Sequence, residues 1–337
     1  MNTHNGHLPD TETVTTALQL AARAPSVHNS QPWRWRVGQT TLDLFAEPHL
    51  QLRNIDPDGR GLLLSCGAAL NHAVVALAAL GWQAKIDRLP DPADRHHLAA
   101  IEVYPREAEQ VDVVLAAAIP RRRTDRRHYS CWPVAPADIA LMGARAARFG
   151  VMLRQVDAMD KLNKVVAQAV FQHATDYNYL HELTSWSGRH DSVAGVPARN
   201  TPAADDAAVI PARLFAHPEL PQPPDASPAD DRAVMVALGT EADDRLARLR
   251  AGEATSMVLL TATSLGLATC PVTEPLEIAA TRELVRCDVF GTGGYPQMLL
   301  RVGWAPINAD PLPPTPRRGL GDTVEWPAAD ARREIFV

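Results

Sequence analysis

Two segments of this 337-residue chain concentrate side chains able to do chemistry. The first is Pro25-Ser26-Val27-His28-Asn29-Ser30-Gln31-Pro32-Trp33. Two prolines stiffen it, and its hydroxyl and amide groups both donate and accept hydrogen bonds. A rigid polar loop at a helix end suits an aromatic, hydrogen-bonding ligand. The plain alternative is a helix stop followed by a turn. The second segment, Arg121-Arg122-Arg123-Thr124-Asp125-Arg126-Arg127, holds five arginines in seven residues. The planar guanidinium fork suits phosphate, and the threonine hydroxyl adds a donor. A solvated charge run is the competing reading. A nucleic-acid patch is opposed by the net charge of −6 and by the lack of interleaved stacking aromatics.

Two smaller motifs join them. Pro316-Arg317-Arg318-Gly319 adds two arginines behind a proline. Thr269-Cys270-Pro271-Val272-Thr273-Glu274-Pro275, just after Gly266, reads as an extended loop whose backbone groups can face a ligand. The histidines form no HExxH, and Cys66, Cys131, Cys270 and Cys287 lie at no metal-ligand spacing. No metal site is expected, and the cysteines read as small buried residues. There is no GxSxG, no P-loop, and no GxGxxG after a strand. No side chain stands out as a catalytic acid, base or nucleophile.

These motifs need elements to hold them. Helices are predicted over 11–24, 59–80, 111–119, 136–149, 158–186, 241–265 and near 277–286. Strands are predicted over 33–37, 41–45, 83–89, 98–104, 151–156, 232–238 and 298–304. The two kinds mix without regular alternation, which points to α+β rather than a doubly wound sheet. Residues 187–228 carry eight of the 28 prolines and little periodicity. An insert that long inside a compact chain is expected to be a lid, a functional loop or disorder.

Composition sets the outer bounds. The chain is 46% hydrophobic and 21% charged, ordinary for a folded protein and incompatible with disorder throughout. Only Lys85, Lys161 and Lys164 among the 33 basic residues are lysines, a bias explained by a GC-rich genome. The first residues carry no signal-peptide pattern, so a cytoplasmic protein is expected. Gly61–Leu80 is apolar enough to pass for a membrane span. Asn71 and His72 at its centre favour a buried helix instead.

The chain also repeats itself. Gly67–Gly81 (GAALNHAVVALAALG) and Gly252–Gly266 (GEATSMVLLTATSLG) share their bounding glycines and several apolar positions. A helix leads into WRWRV in one place and into MLRQV in another. Two related units are therefore expected, residues 1–110 and 111–337, the second carrying the insert at about 187–228.

On these residues the chain resembles the nitroreductase-like flavoproteins, and within them the Acg-type group of dormancy-associated actinobacterial proteins. The specific match is Ala24–Trp33, APSVHNSQPW. The long helix ending at Gly266, the proline-containing loop after it and the arginine clusters support it. The resemblance implies an α+β nitroreductase fold, normally an intertwined dimer with FMN at its interface. It implies that Arg122, Arg123, Thr124 and Arg126, helped by Arg317 or Arg318, hold the phosphate. Pro25, Ser26, His28 and Asn29 would approach the flavin from the other unit. Pro271, Val272 and Thr273 would lie along the ring.

Only one pseudo-symmetric site has both walls. The first unit begins His4-Asn5-Gly6-His7 without arginines, and the second has Ala146-Ala147-Arg148-Phe149-Gly150 in place of the proline-serine loop. One FMN per chain and a monomeric pseudo-dimer follow as expectations. The implied activity is ping-pong hydride transfer from NAD(P)H through FMN to a nitroaromatic or quinone. The alternative is a flavin-sequestering protein whose lid excludes nicotinamide.

Overall fold

The structure is a computed structural model that describes residues 7–190, 192–205 and 207–327; the His4-Asn5-Gly6 start lies outside them. Helix α1 (Thr11–Ala21) is capped by Asp10, whose carboxylate accepts the Thr13 N–H at 2.9 Å. It buries Val14, Ala17, Leu18 and Ala21, one face at helical spacing. It ends three residues short of the predicted Ala24, where Pro25 forbids further helix.

Strands β1 (Trp33–Val37) and β2 (Thr41–Ala46) form a hairpin. Helix α2 (Arg60–Ala79) follows, then β3 (Trp82–Arg88) and β4 (His97–Pro105). These strands make an antiparallel sheet in the order β1-β2-β4-β3. After α3 (Gln110–Ala118), the same series of elements returns. Helix α4 (Pro136–Ala147) leads to β5 (Val151–Gln155); β8 (Val234–Thr240), α7 (Arg245–Ser264), β9 (Ala268–Pro271) and β10 (Tyr295–Gly303) complete it. Their sheet runs β5-β8-β10-β9, again antiparallel. Each sheet packs on its own core, one built on Trp33, Trp35, Leu70 and Leu77, the other on Val236, Leu238, Val258 and Leu300.

The central helices α2 and α7 cross in direct backbone contact. A Cβ on Gly67 would lie 2.1 Å from the Leu249 carbonyl oxygen, and one on Gly252 would lie 2.2 Å from that of Leu64. Both positions therefore require glycine. Asn71 donates to Ser256 Oγ at 2.8 Å, and His72 Nδ1 lies 2.8 Å from the same oxygen. These polar groups are bonded between the helices, so α2 is buried on nearly every side although it is long and apolar enough to cross a membrane.

Several details differ from the sequence reading. Residues 158–186 form two helices, α5 (Met159–Ala174) and α6 (Tyr177–Trp186), because Asp176 caps the second through the Asn178 and Tyr179 N–H groups. The insert contains the short strands β6 (Ser187–Arg189) and β7 (Val196–Pro197). Helix α8 (Glu274–Glu277) and α9 (Ala279–Val285) replace the single helix near 277–286. The stretch at 268–271, read as loop, is strand β9. The tail forms α10 (Leu320–Thr323) and β11 (Val324–Glu325), and β11 pairs parallel to β1 at Trp35↔Val324. Cys131 and Cys287 are exposed, unlike Cys66 and Cys270.

Candidate functional site

A cleft opens between the two units, with about 1260 Å³ of empty space including its mouth. Its floor comes from the crossing helices, through Leu64, Ser65 and Ala68 of α2 and Thr255 and Leu259 of α7. One wall is the loop Pro25–His28; the other is Thr124, Arg126 and the Cys270–Glu274 segment leaving β9. Pro25, Ser26, His28, Thr124, Arg126, Pro271, Val272 and Thr273 are thus brought together around one space.

The loop is strained. His28, Asn29 and Gln31 have φ of 46°, 55° and 52°, a left-handed run that non-glycine residues adopt at a cost. Hydrogen bonds hold it there. Ser26 Oγ accepts the Gln31 N–H at 2.9 Å, and Val27 N–H donates to Ser65 Oγ at 3.1 Å. Asn29 does not line the cleft. Its amide donates to the Gly195 and Pro316 carbonyls, and its oxygen accepts from Arg317 at 2.9 Å. It ties the insert and the tail to the loop.

The arginines divide into three environments. Arg122, Arg123 and Arg317 line a small depression with Arg23, Ile119 and Thr315. Among the described residues no carboxylate lines it. The Arg122 guanidinium is buried, and its Nε and Nη1 have no partner; Arg123 Nε and Arg317 Nε are likewise unpartnered. Burial, then the surrounding arginines, pulls Arg122 down to about 10 and Arg317 to about 9. Unpaired buried cations are costly, and an anion here could offset that cost. A phosphate would satisfy the free N–H groups.

Arg126 stands apart from that cradle. It lines the cleft, stacks over Phe215 at 4.9 Å and donates to the Asn200 carbonyl at 3.1 Å. Arg318 is removed altogether: it donates to Glu47 at 2.6 Å and to the Gln31 carbonyl at 3.1 Å, so its charge is already matched. Of the Arg317-or-Arg318 pair, the structure assigns Arg317 to the cradle. On both walls a two-residue step leads from cradle to cleft, from Arg23 to Pro25 and from Arg122 to Thr124.

The insert covers the cleft. Val196, Pro202, Ile210, Pro211, Arg213 and Phe215 line it. Arg213 donates to His28 Nε2 at 2.8 Å, to the Tyr179 hydroxyl at 2.9 Å, to Thr273 Oγ1 at 3.1 Å and to Glu277 at 2.6 Å. Glu274, 3.8 Å from Arg213 Nε, is held below its ordinary value against the burial that raises it, by Arg213 and His173. Arg23, Arg213 and Phe215 escaped the sequence reading. Arg23 adjoins the Ala24-Pro25 motif and was within reach; nothing local marks the other two.

These features define an α+β protein with an insert-covered cleft and an arginine-lined depression at its side. The chain belongs to the nitroreductase family. The Nitroreductase family model matches residues 107–304. "Putative NAD(P)H nitroreductase Rv3131" of Mycobacterium tuberculosis is 71% identical over 323 residues, covering 96% of this chain and 94% of the relative. "Putative NAD(P)H nitroreductase acg" of the same organism is 36% identical over 341 residues, covering 96% and 100%. Among solved structures, the FMN and NADPH-dependent nitroreductase NfnB from a sphigopyxis species is 17% identical over 64% of this chain and 99% of that one, with a TM-score of 0.39. That likeness is too distant to bear on function.

Proposed function

We propose that the chain binds one FMN in this cleft and acts as an NAD(P)H-dependent reductase of nitroaromatics or quinones. The observation that carries the reading is the cradle: Arg122 buried, with Nε and Nη1 unpartnered, beside Arg23, Arg123 and Arg317, and no carboxylate lining it among the described residues. A flavin phosphate matches that need, and the adjoining cleft has the polar and apolar lining a flat ring requires. Bound FMN would supply the hydride-carrying ring. The chain's residues would do the holding: the four arginines at the phosphate, and Pro25, Ser26, His28, Pro271, Val272 and Thr273 along the ring. The names of the Mycobacterium relatives support nicotinamide as the electron source. Donor and acceptor would then use one cleft in turn.

The repeated order of elements, with matching strand orders, supports reading the chain as two fused units and a self-sufficient monomer. When Gly67 is aligned with Gly252, Glu253 falls opposite Ala68 and Arg88 opposite Thr273, two residues that line the cleft. Arg88 and Glu253 form a bidentate ion pair at 2.7 and 2.8 Å, filling that position with side chains. This supports a single site.

A second reading, flavin sequestration, is favoured by the insert. Arg213 and Phe215 line the cleft from the insert, which leaves less room for a second ring beside a flavin. One anaerobic experiment tests both readings. The purified protein should be yellow with about one FMN per chain. Bleaching by NADH or NADPH supports the reductase; bleaching by dithionite alone supports sequestration. Colourless protein that takes up no FMN overturns both.

A further inference from the structure

His28 carries a feature that closing the cleft does not explain. Its ring is buried, its Nε2 lies 2.8 Å from Arg213 Nη1, and its Nδ1 is buried with no partner among the described residues. Arginine can only donate, so Nε2 must be the acceptor. Burial, reinforced by Arg213, Arg126 and His173, keeps the ring well below its ordinary value and therefore neutral. A neutral imidazole carries one proton, and with Nε2 accepting it sits on Nδ1. The loop holds the ring there in a left-handed backbone conformation, a strain that structure elsewhere must sustain.

Resting on the flavin reading only for the source of its partner, we propose that Arg213 fixes His28 as the Nδ1–H tautomer and that this N–H is the cleft's donor to a carbonyl oxygen or ring nitrogen on the bound aromatic ligand. Arg213 suits the task because it cannot swing away. Its other Nη N–H groups are committed to the Tyr179 hydroxyl, Thr273 Oγ1 and Glu277, and its charge is balanced by Glu277 and Glu274. It reaches His28 from the insert, 185 residues away in sequence. The donor face of the cleft therefore exists only while the insert is packed. Without Arg213 the ring can take the other tautomer, which offers a lone pair where a ligand oxygen needs a proton. His28 is thus a ligand-facing group and Arg213 a positioning residue.

Long-range proton–nitrogen spectra of the ligand-free protein read the tautomer directly, with His28→Gln assigning the signal. Wild type and Arg213→Lys should show the Nδ1–H form, and Arg213→Ala a mixture of both forms. Ligand addition then identifies the acceptor. A downfield shift of the Nδ1 proton on adding FMN assigns it to the flavin ring. A shift only when menadione is added to FMN-loaded, oxidised protein assigns it to the substrate. An Nε2–H ring in wild type, an unaltered ring in Arg213→Ala, or an Nδ1 proton moved by neither compound overturns the proposal. The tautomer is read without flavin, so failure of FMN to bind sinks the functional reading separately.

Discussion

Gly67 and Gly252 face each other at the crossing of α2 and α7, each so close to the other helix that a Cβ would strike a carbonyl oxygen of Leu249 or Leu64. The two glycine-bounded stretches thus meet at the glycines that open them. The cleft floor is built one turn away on the same helices.

Gly67→Ala is expected to destabilise the protein by about 1–3 kcal/mol or more through overpacking. The sign is diagnostic, because glycine to alanine inside a helix normally gains about 1 kcal/mol. Urea unfolding of the variant measures it; an unchanged or raised midpoint contradicts the close crossing.

Arg122→Ala and Arg317→Ala should each weaken FMN binding by about 1.5–3 kcal/mol, the worth of a charge-assisted hydrogen bond, or roughly tenfold to more than a hundredfold. Arg318→Ala should leave FMN affinity close to wild type, since that charge is spent on Glu47. In the ligand-free protein, inorganic phosphate should raise the melting temperature of wild type and not of the Arg122→Ala, Arg317→Ala double variant. Fluorescence titration and thermal scans decide both points.

Asp56 supplies a pH signature. Its carboxylate accepts the Gly61 and Leu62 N–H groups at the start of α2, yet burial and Glu277 raise it from 3.8 to about 6. The folded state binds this proton more tightly than the unfolded chain. Its stabilising contribution is full below about pH 4 and is lost as pH rises through about 6, amounting to about 3 kcal/mol. The stability of wild type minus that of Asp56→Asn should fall by about this amount over that window. A flat difference would show that Asp56 titrates normally.

The buried Arg88–Glu253 pair should respond asymmetrically. Arg88→Ala strands the fully buried Glu253 and should cost about 3–5 kcal/mol. Glu253→Ala leaves Arg88, whose side chain is 21% exposed, with access to water, and should cost less. The double variant should be more stable than the sum of the two losses implies. Strict additivity in denaturant unfolding would show that the pair is not coupled.

Much of the fold was legible because local physics wrote it. The hairpin at Trp33–Ala46, the two long helices and their glycines follow from periodicity and turn chemistry. The split at Asp176 was missed because its capping carboxylate sits inside a helical pattern. Strand β11 was missed because two residues carry no period of their own; its partner is nearly 300 residues away. At the site, the proline-serine loop and the arginine run were visible as composition. Their division was not. Arg122 and Arg126 differ by one helical turn in number, yet the chain between them is irregular and sends them to different spaces. Arg317 and Arg318 part because Glu47, remote in sequence, claims only the second. Arg213 could not be found at all, because its meaning lies wholly in four partners contributed by other segments.

The late position of Arg317 and β11 has a consequence for biosynthesis. The first wall of the cleft and the arginines of the second leave the ribosome long before residue 317 does. Asn29 must wait for Arg317, and Trp35 for Val324, before loop and sheet edge acquire their last partners. A nascent chain stalled or nicked short of those residues would lack one of the four guanidiniums. The cradle is therefore complete only once the tail has been made.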